Sequence, residues 1–218
     1  MCFSAAASFT GGAIVSTIGF AAMKRVRKPS QRLFAGIPLF FGVQQIAEGF
    51  LWLSFTHPEY AAFRQGSMYL FLFMARVFWP AMLPLSVLWM EEDPGRKKKL
   101  GVLLAMGLTV SFYYTYCLVF LNVAPDIAGN HIQYISDFPE SLAVPVFIIY
   151  FIASIVPLFI SGMKRVSLLG VLMAVSGIAS AVFFTLYLTS VWCFFAAIIS
   201  VVIYWILSDG TPESIKAM

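Results

Sequence analysis

Apolar runs of membrane-crossing length, broken by short polar or basic segments, make up most of the chain. A transmembrane helix needs about 20 mainly apolar residues. Seven runs meet that requirement: residues 5–23, 33–55, 67–90, 100–124, 141–162, 167–189 and 191–208. The last two belong to one apolar stretch, too long for one crossing and suited to two, with Thr189 and Ser190 as its polar break. A single crossing there would leave six spans. No segment between runs is long enough for a soluble domain. Residues 1–218 are therefore expected to form one all-α polytopic transmembrane helix bundle of seven spans. The longest connection, residues 125–140, carries Asp126, Asp137 and Glu140 with no Lys or Arg; its acidity mirrors the placement of the basic residues elsewhere, and a lid or binding role is the alternative reading of its length.

Composition supports lipid as the solvent. The chain is 61% hydrophobic and 11% charged, whereas a soluble domain carries about 25% charged residues. The net charge of +4 does not point to nucleic acid, because the basic residues sit in a few short breaks. Lys24, Arg25, Arg27, Lys28 and Arg32 follow the first run, Arg96 to Lys99 the third, and Lys164 and Arg165 the fifth, with Lys216 in the tail. Arg64 falls on the opposite side, and Arg76 lies inside a run. By the positive-inside bias the N-terminus is outside and the C-terminus cytoplasmic. Basic residues follow the first run rather than precede it, so residues 5–23 read as a retained span and not a cleaved signal.

Depth turns the remaining polar residues into a candidate site. At about 1.5 Å rise per residue, Glu48 lies roughly 10 Å below the outer end of its span, and Arg76 roughly 13–14 Å below the outer end of the next. An ionisable side chain at membrane depth costs about 2.5–3.5 kcal/mol on insertion scales. The economical expectation is that Glu48 and Arg76 pair across adjacent helices. Gln44 and Gln45 precede Glu48 by four and three positions, Trp52 follows one turn outward, and Pro80 is placed to free the carbonyl of Arg76 and kink its helix. Tyr113, Tyr116 and Cys117 add polar positions on the fourth span.

All three cysteines, Cys2, Cys117 and Cys193, fall in the outer half with His57 and His131. Their odd number leaves at least one outside any internal disulfide. Thiols in such a group would suit a soft metal such as copper or zinc, and span cysteines equally serve as small apolar fillers. Ser4, Ser8, Gly12 and Ser16 recur every four residues and point to close helix packing. Several seven-span chemistries are excluded by missing residues. Residues 191–208 hold no lysine for retinal, no His or Asp lies well inside a span for an intramembrane zinc hydrolase, and no paired histidines match in depth for haem.

The opening Met1-Cys2-Phe3-Ser4-Ala5, continuing to Ala7-Ser8-Phe9, and the later Gln45-x-x-Glu48-Gly49-x-x-Trp52 resemble a family of small bacterial multispanning proteins of unknown function. The resemblance implies a bacterial plasma (inner) membrane and supplies no activity. The expected site is a pocket open to the outer face, lined by Gln44, Gln45, Glu48, Trp52, Arg76, Tyr113, Tyr116 and Cys117, that takes a small ligand or soft metal, with Cys2 at its mouth. In an enzyme, Cys2 or Cys117 would be the nucleophile and Glu48 the acid–base group. The alternatives are a proton-coupled or small-solute transporter gated by the Glu48–Arg76 pair, and a structural subunit of a membrane complex.

Overall fold

The computed structural model of the protein describes residues 4–129, 131–183 and 195–208. The first apolar run forms α1 (Ala5–Met23), started by the Ser4 side chain, which accepts a hydrogen bond from the Ala7 N–H at 3.2 Å. Of the small-residue stripe, Ser8 and Gly12 are buried, Ser16 is half-buried against Gly42 and Ser4 is exposed; Gly11 and Gly19 are buried as well, and α1 lies directly along α3 (Ile37–Thr56). A Cβ on Gly19 would meet the Leu39 backbone nitrogen at 2.9 Å, so only glycine lets the two helices approach this closely. A 3-10 turn (Pro29–Gln31) and the short α2 (Arg32–Ala35) lead into α3.

A second 3-10 turn (Pro58–Phe63) starts the third helical rod: α4 (Arg64–Leu72), a π-helical turn (Phe73–Phe78) and α5 (Trp79–Met90). Helix α6 (Pro94–Phe120) begins earlier and ends earlier than expected. Its first turns take in the basic run Arg96–Lys99, an unfavourable sign at a helix N-terminus. Asp93 offsets this as the cap, its carboxylate accepting from Arg96 N–H at 2.7 Å.

The long connection at residues 125–140 is not a plain loop. Strands β1 (Val123–Ala128) and β2 (His131–Ser136) pair antiparallel, with Ala128 opposite His131 and Gly129 turning at φ 63. Ile132 is fully buried, and the Tyr134 ring stacks on Phe71 at 5.5 Å, so the hairpin packs against α3 and α4 beside Leu51, Trp52 and Met68. Asn122 donates to Asp137 at 3.0 Å and closes its base.

Three helices complete the bundle: α7 (Glu140–Ile160), α8 (Lys164–Phe183) and α9 (Ala196–Ser208). The Arg165 guanidinium lies 4.6 Å from the Trp205 ring. The start of α8 thus lies beside the end of α9, and the two helices run antiparallel. The expected break at Thr189 and Ser190 lies outside the described residues.

Among the described residues, five helical segments are long and apolar enough to cross a membrane, and two shorter apolar helices lie in α8 and α9. The exterior is apolar, with Phe112, Val119, Phe120 and Val144 more than 60% exposed, a surface water would not tolerate at this extent. The basic connections gather at one end, where Lys28 pairs with Glu92 at 2.7 Å and Arg25 lies 5.8 Å from the Tyr204 ring. The hairpin and the Pro58–Phe63 turn occupy the other end. Arg64, the one cation expected on that side, folds onto the end of α3, donating to the Ser54 carbonyl and lying over the Phe55 ring at 4.4 Å. It satisfies a carbonyl that the helix end leaves without an intrahelical partner.

Candidate functional site

Helical spacing puts Gln44, Gln45, Glu48 and Trp52 into the bundle interior, with relative exposures of 1%, 0%, 0% and 6%. The positions i, i+4 and i+8 share one face, and small residues on α1 let that face close completely. The Trp79 indole N–H of α5 donates to Gln44 Oε1 at 2.7 Å, and the same indole stacks on Phe41 at 4.2 Å. Gln45 lies about 100° around the helix from Gln44, against Gly12 of α1. Among the described residues its Oε1 and Nε2 are enclosed without a hydrogen-bond partner, and the Trp52 Nε1 is in the same position. Each such buried group costs about 1–3 kcal/mol. The most polar stretch of α3 thus holds two groups whose bonding capacity no described side chain takes up.

Arg76 does not join them. Glu48 and Arg76 form no ion pair; among the described residues the ion pairs are Lys28–Glu92 and Arg96–Glu91. Depth places the two residues at similar heights, but the π-helical turn carrying Arg76 sets its direction. That turn closes with Trp79 N–H donating to Met74 O, five residues back. The extra residue per turn rotates Arg76 away from α3 and towards α6. Its guanidinium lies 5.4 Å from the Tyr114 ring and 5.1 Å from the Phe138 ring.

The same register change moves the effect of Pro80. In a five-residue register the missing N–H deprives Ala75, and the Tyr150 hydroxyl of α7 donates to Ala75 O at 2.8 Å. Ser111 of α6 donates to Val77 O at 2.6 Å. Both are contacts the sequence did not expose, because they belong to side chains on helices far away in the chain. Pro84 in turn strips the donor from Pro80 O, and Gly107 leaves room for that carbonyl, since a Cβ there would stand 1.9 Å from it.

The tyrosines and cysteines are scattered. Cys117 is buried with a free thiol. Tyr113 is half-buried beside Tyr114, ring centroids 5.2 Å apart. Tyr116 leaves the candidate site. It is exposed on the bundle exterior against Phe120, because it sits more than a quarter-turn around α6 from Cys117. Cys2 and Cys193 lie outside the described residues. His57 is exposed beside Thr56 Oγ1 at 2.8 Å. His131 is half-buried in β2, and burial lowers its pKa from the usual 6.5. Among the described residues no group of three or more His, Cys, Asp or Glu converges to hold a metal.

The groove that opens on the surface is apolar. About 360 Å³ in volume, it runs between α3 and α4 past Val43, Ile46, Phe50, Phe63 and Leu70, and none of the expected polar residues lines it. At the opposite end Glu91 forms a site of a different kind. Its carboxylate accepts from Glu92 and Asp93 N–H at 3.1 Å each and from Gly162 N–H at 3.0 Å, with Arg96 at 3.7 Å. Burial pulls its pKa up, but these donors and Arg96 outweigh burial and hold it below 4.5.

A family of unknown function, DUF6629, matches residues 1–217. The chain belongs to that family. Comparison with curated proteins and with solved structures returns no match. Membership of DUF6629 bears out the resemblance drawn from the opening residues and from Gln45, Glu48, Gly49 and Trp52, and extends it over nearly the whole chain. DUF6629 brings no activity with it.

Proposed function

We propose that the protein is a seven-span membrane protein of the bacterial plasma membrane, N-terminus outside and C-terminus cytoplasmic, that holds a small polar ligand in the α3 interior. The supporting observation is Gln45, a fully buried carboxamide with neither polar atom bonded to any described residue. Native proteins satisfy nearly all buried polar groups, and the exceptions call for an occupant or a task. Gln45 offers one donor group and one acceptor, Trp52 adds an N–H, and Glu48 stands one turn from Gln45. The complementary ligand is small and carries both an acceptor and a donor. The hairpin over the outer ends of α3 and α4 is the gate through which it enters. The transporter alternative loses its gate, since the Glu48–Arg76 pair is not formed.

The test is mass spectrometry and elemental analysis of what the purified protein releases on denaturation. A stoichiometric compound present in wild type and lost in Gln45→Leu and Glu48→Gln supports the reading. A metal lost in Cys117→Ser would instead transfer the site to the thiols. Wild type that releases nothing, with Gln45→Leu more stable than wild type, would overturn it.

A further inference from the structure

We propose that Arg76 binds a phosphate oxyanion at the outer edge of the bundle, in a niche formed by Tyr114 and Phe138. Arg76 has five N–H donors and a fixed positive charge, yet it makes no hydrogen bond or ion pair with any described residue. The two rings attract the cation through their π faces, and no described acceptor, the Tyr114 hydroxyl included, bonds its N–H groups. The nearby carboxylate of Asp137, adjacent to Phe138, is engaged by Asn122.

The position selects the ligand. Arg76 belongs to a membrane-depth turn, but its guanidinium is 5.1 Å from the ring of Phe138, two residues before α7 begins. The side chain therefore reaches up from the apolar layer to the level where the chain leaves it, as long cationic side chains do. A guanidinium held at that level presents a planar fork suited to two oxygens of one phosphate. The phosphate comes either from an outer-leaflet lipid headgroup or from a free anion. This niche lies on the α6 side of the rod, apart from Gln45, and stands or falls independently of the ligand proposed there.

The experiment uses the full-length protein with two probes. Native mass spectrometry from galactolipid nanodiscs doped with phosphatidylglycerol reads the headgroup source. Thermal unfolding in neutral detergent with orthophosphate against chloride at equal ionic strength reads the free source. Retained phosphatidylglycerol, or stabilisation by orthophosphate, is expected in wild type. Either response should fall about tenfold in Arg76→Gln and return in part in Arg76→Lys. A wild type that retains no phospholipid over galactolipid and gains nothing from orthophosphate overturns the proposal. So does an Arg76→Gln protein that matches wild type in both. Should Arg76→Gln not fold, the wild-type comparisons decide alone.

Discussion

Gln44 and Gln45 are neighbours on one helix with the same side chain, and only one of them has its hydrogen bonding provided for. Gln44 meets the Trp79 indole N–H at 2.7 Å, while Gln45, a hundred degrees around the helix, meets the small residues of α1. The two should respond oppositely to loss of polarity. Trp79→Phe keeps the stack on Phe41 but withdraws the donor from a buried amide, a loss of about 1–3 kcal/mol. Gln44→Met loses the same bond from the other side. Gln45→Met removes a group that is unbonded in the ligand-free protein and should be neutral or stabilising there. Denaturant unfolding of the purified variants in detergent ranks them. A Gln45→Met protein as damaged as Gln44→Met would show that the Gln45 amide is already satisfied without a ligand.

The rod from α4 to α5 has two prolines and a π-helical turn, and the bundle is built around what they leave open. Tyr150 serves the freed carbonyl of Ala75, Ser111 ties α6 to the rod at Val77 O, and Gly107 makes room for Pro80 O. Gly107→Ala drives a methyl into that carbonyl and should cost about 1–3 kcal/mol as overpacking. Gly101→Ala on the same helix meets nothing within 4 Å and should be neutral or gain up to about 1 kcal/mol from helix propensity. Equal unfolding midpoints for the two would rule out the tight α5–α6 crossing. What the sequence could and could not reveal divides along the same line. Apolar run length determines where helices lie, so 5–23 agrees with Ala5–Met23 residue for residue and 141–162 with Glu140–Ile160 to within two. Burial of Gln44, Gln45 and Glu48 followed from their spacing. Direction around the axis was hidden, because a π turn rotates everything beyond it, and so Glu48 was assigned Arg76 as a partner. The run 100–124 absorbed the start of β1 since strand and helix residues there are equally apolar. Gly129-Asn130 between two short β-branched segments was the available hairpin signal.

At the scale of the molecule the two ends differ in kind, basic and cross-linked at one, aromatic and hairpin-capped at the other. If the basic end is cytoplasmic, Ile135→Cys, exposed on β2, should react with an impermeant maleimide on intact cells. Lys98→Cys should react only after permeabilisation, both in a background with the native cysteines changed to serine. The reverse pattern would invert the molecule. The basic end is also held by an acid. Glu91 joins the α5–α6 connection to Gly162, where α7 turns into α8, so one carboxylate fixes the spacing of four helices. Its pKa is held below 4.5 in the folded protein, so the folded state binds its proton less readily than the unfolded chain does. That contribution to stability is complete above the ordinary carboxylate range and disappears as pH falls through the depressed folded value. Glu91→Gln should therefore be less stable than wild type at neutral pH, by about 1–3 kcal/mol for lost charge-assisted bonds, and the two should converge in acid. Unfolding midpoints followed from pH 7 down through the carboxylate range check this. A gap that persists unchanged below that range would mean Glu91 acts through its shape and not its charge.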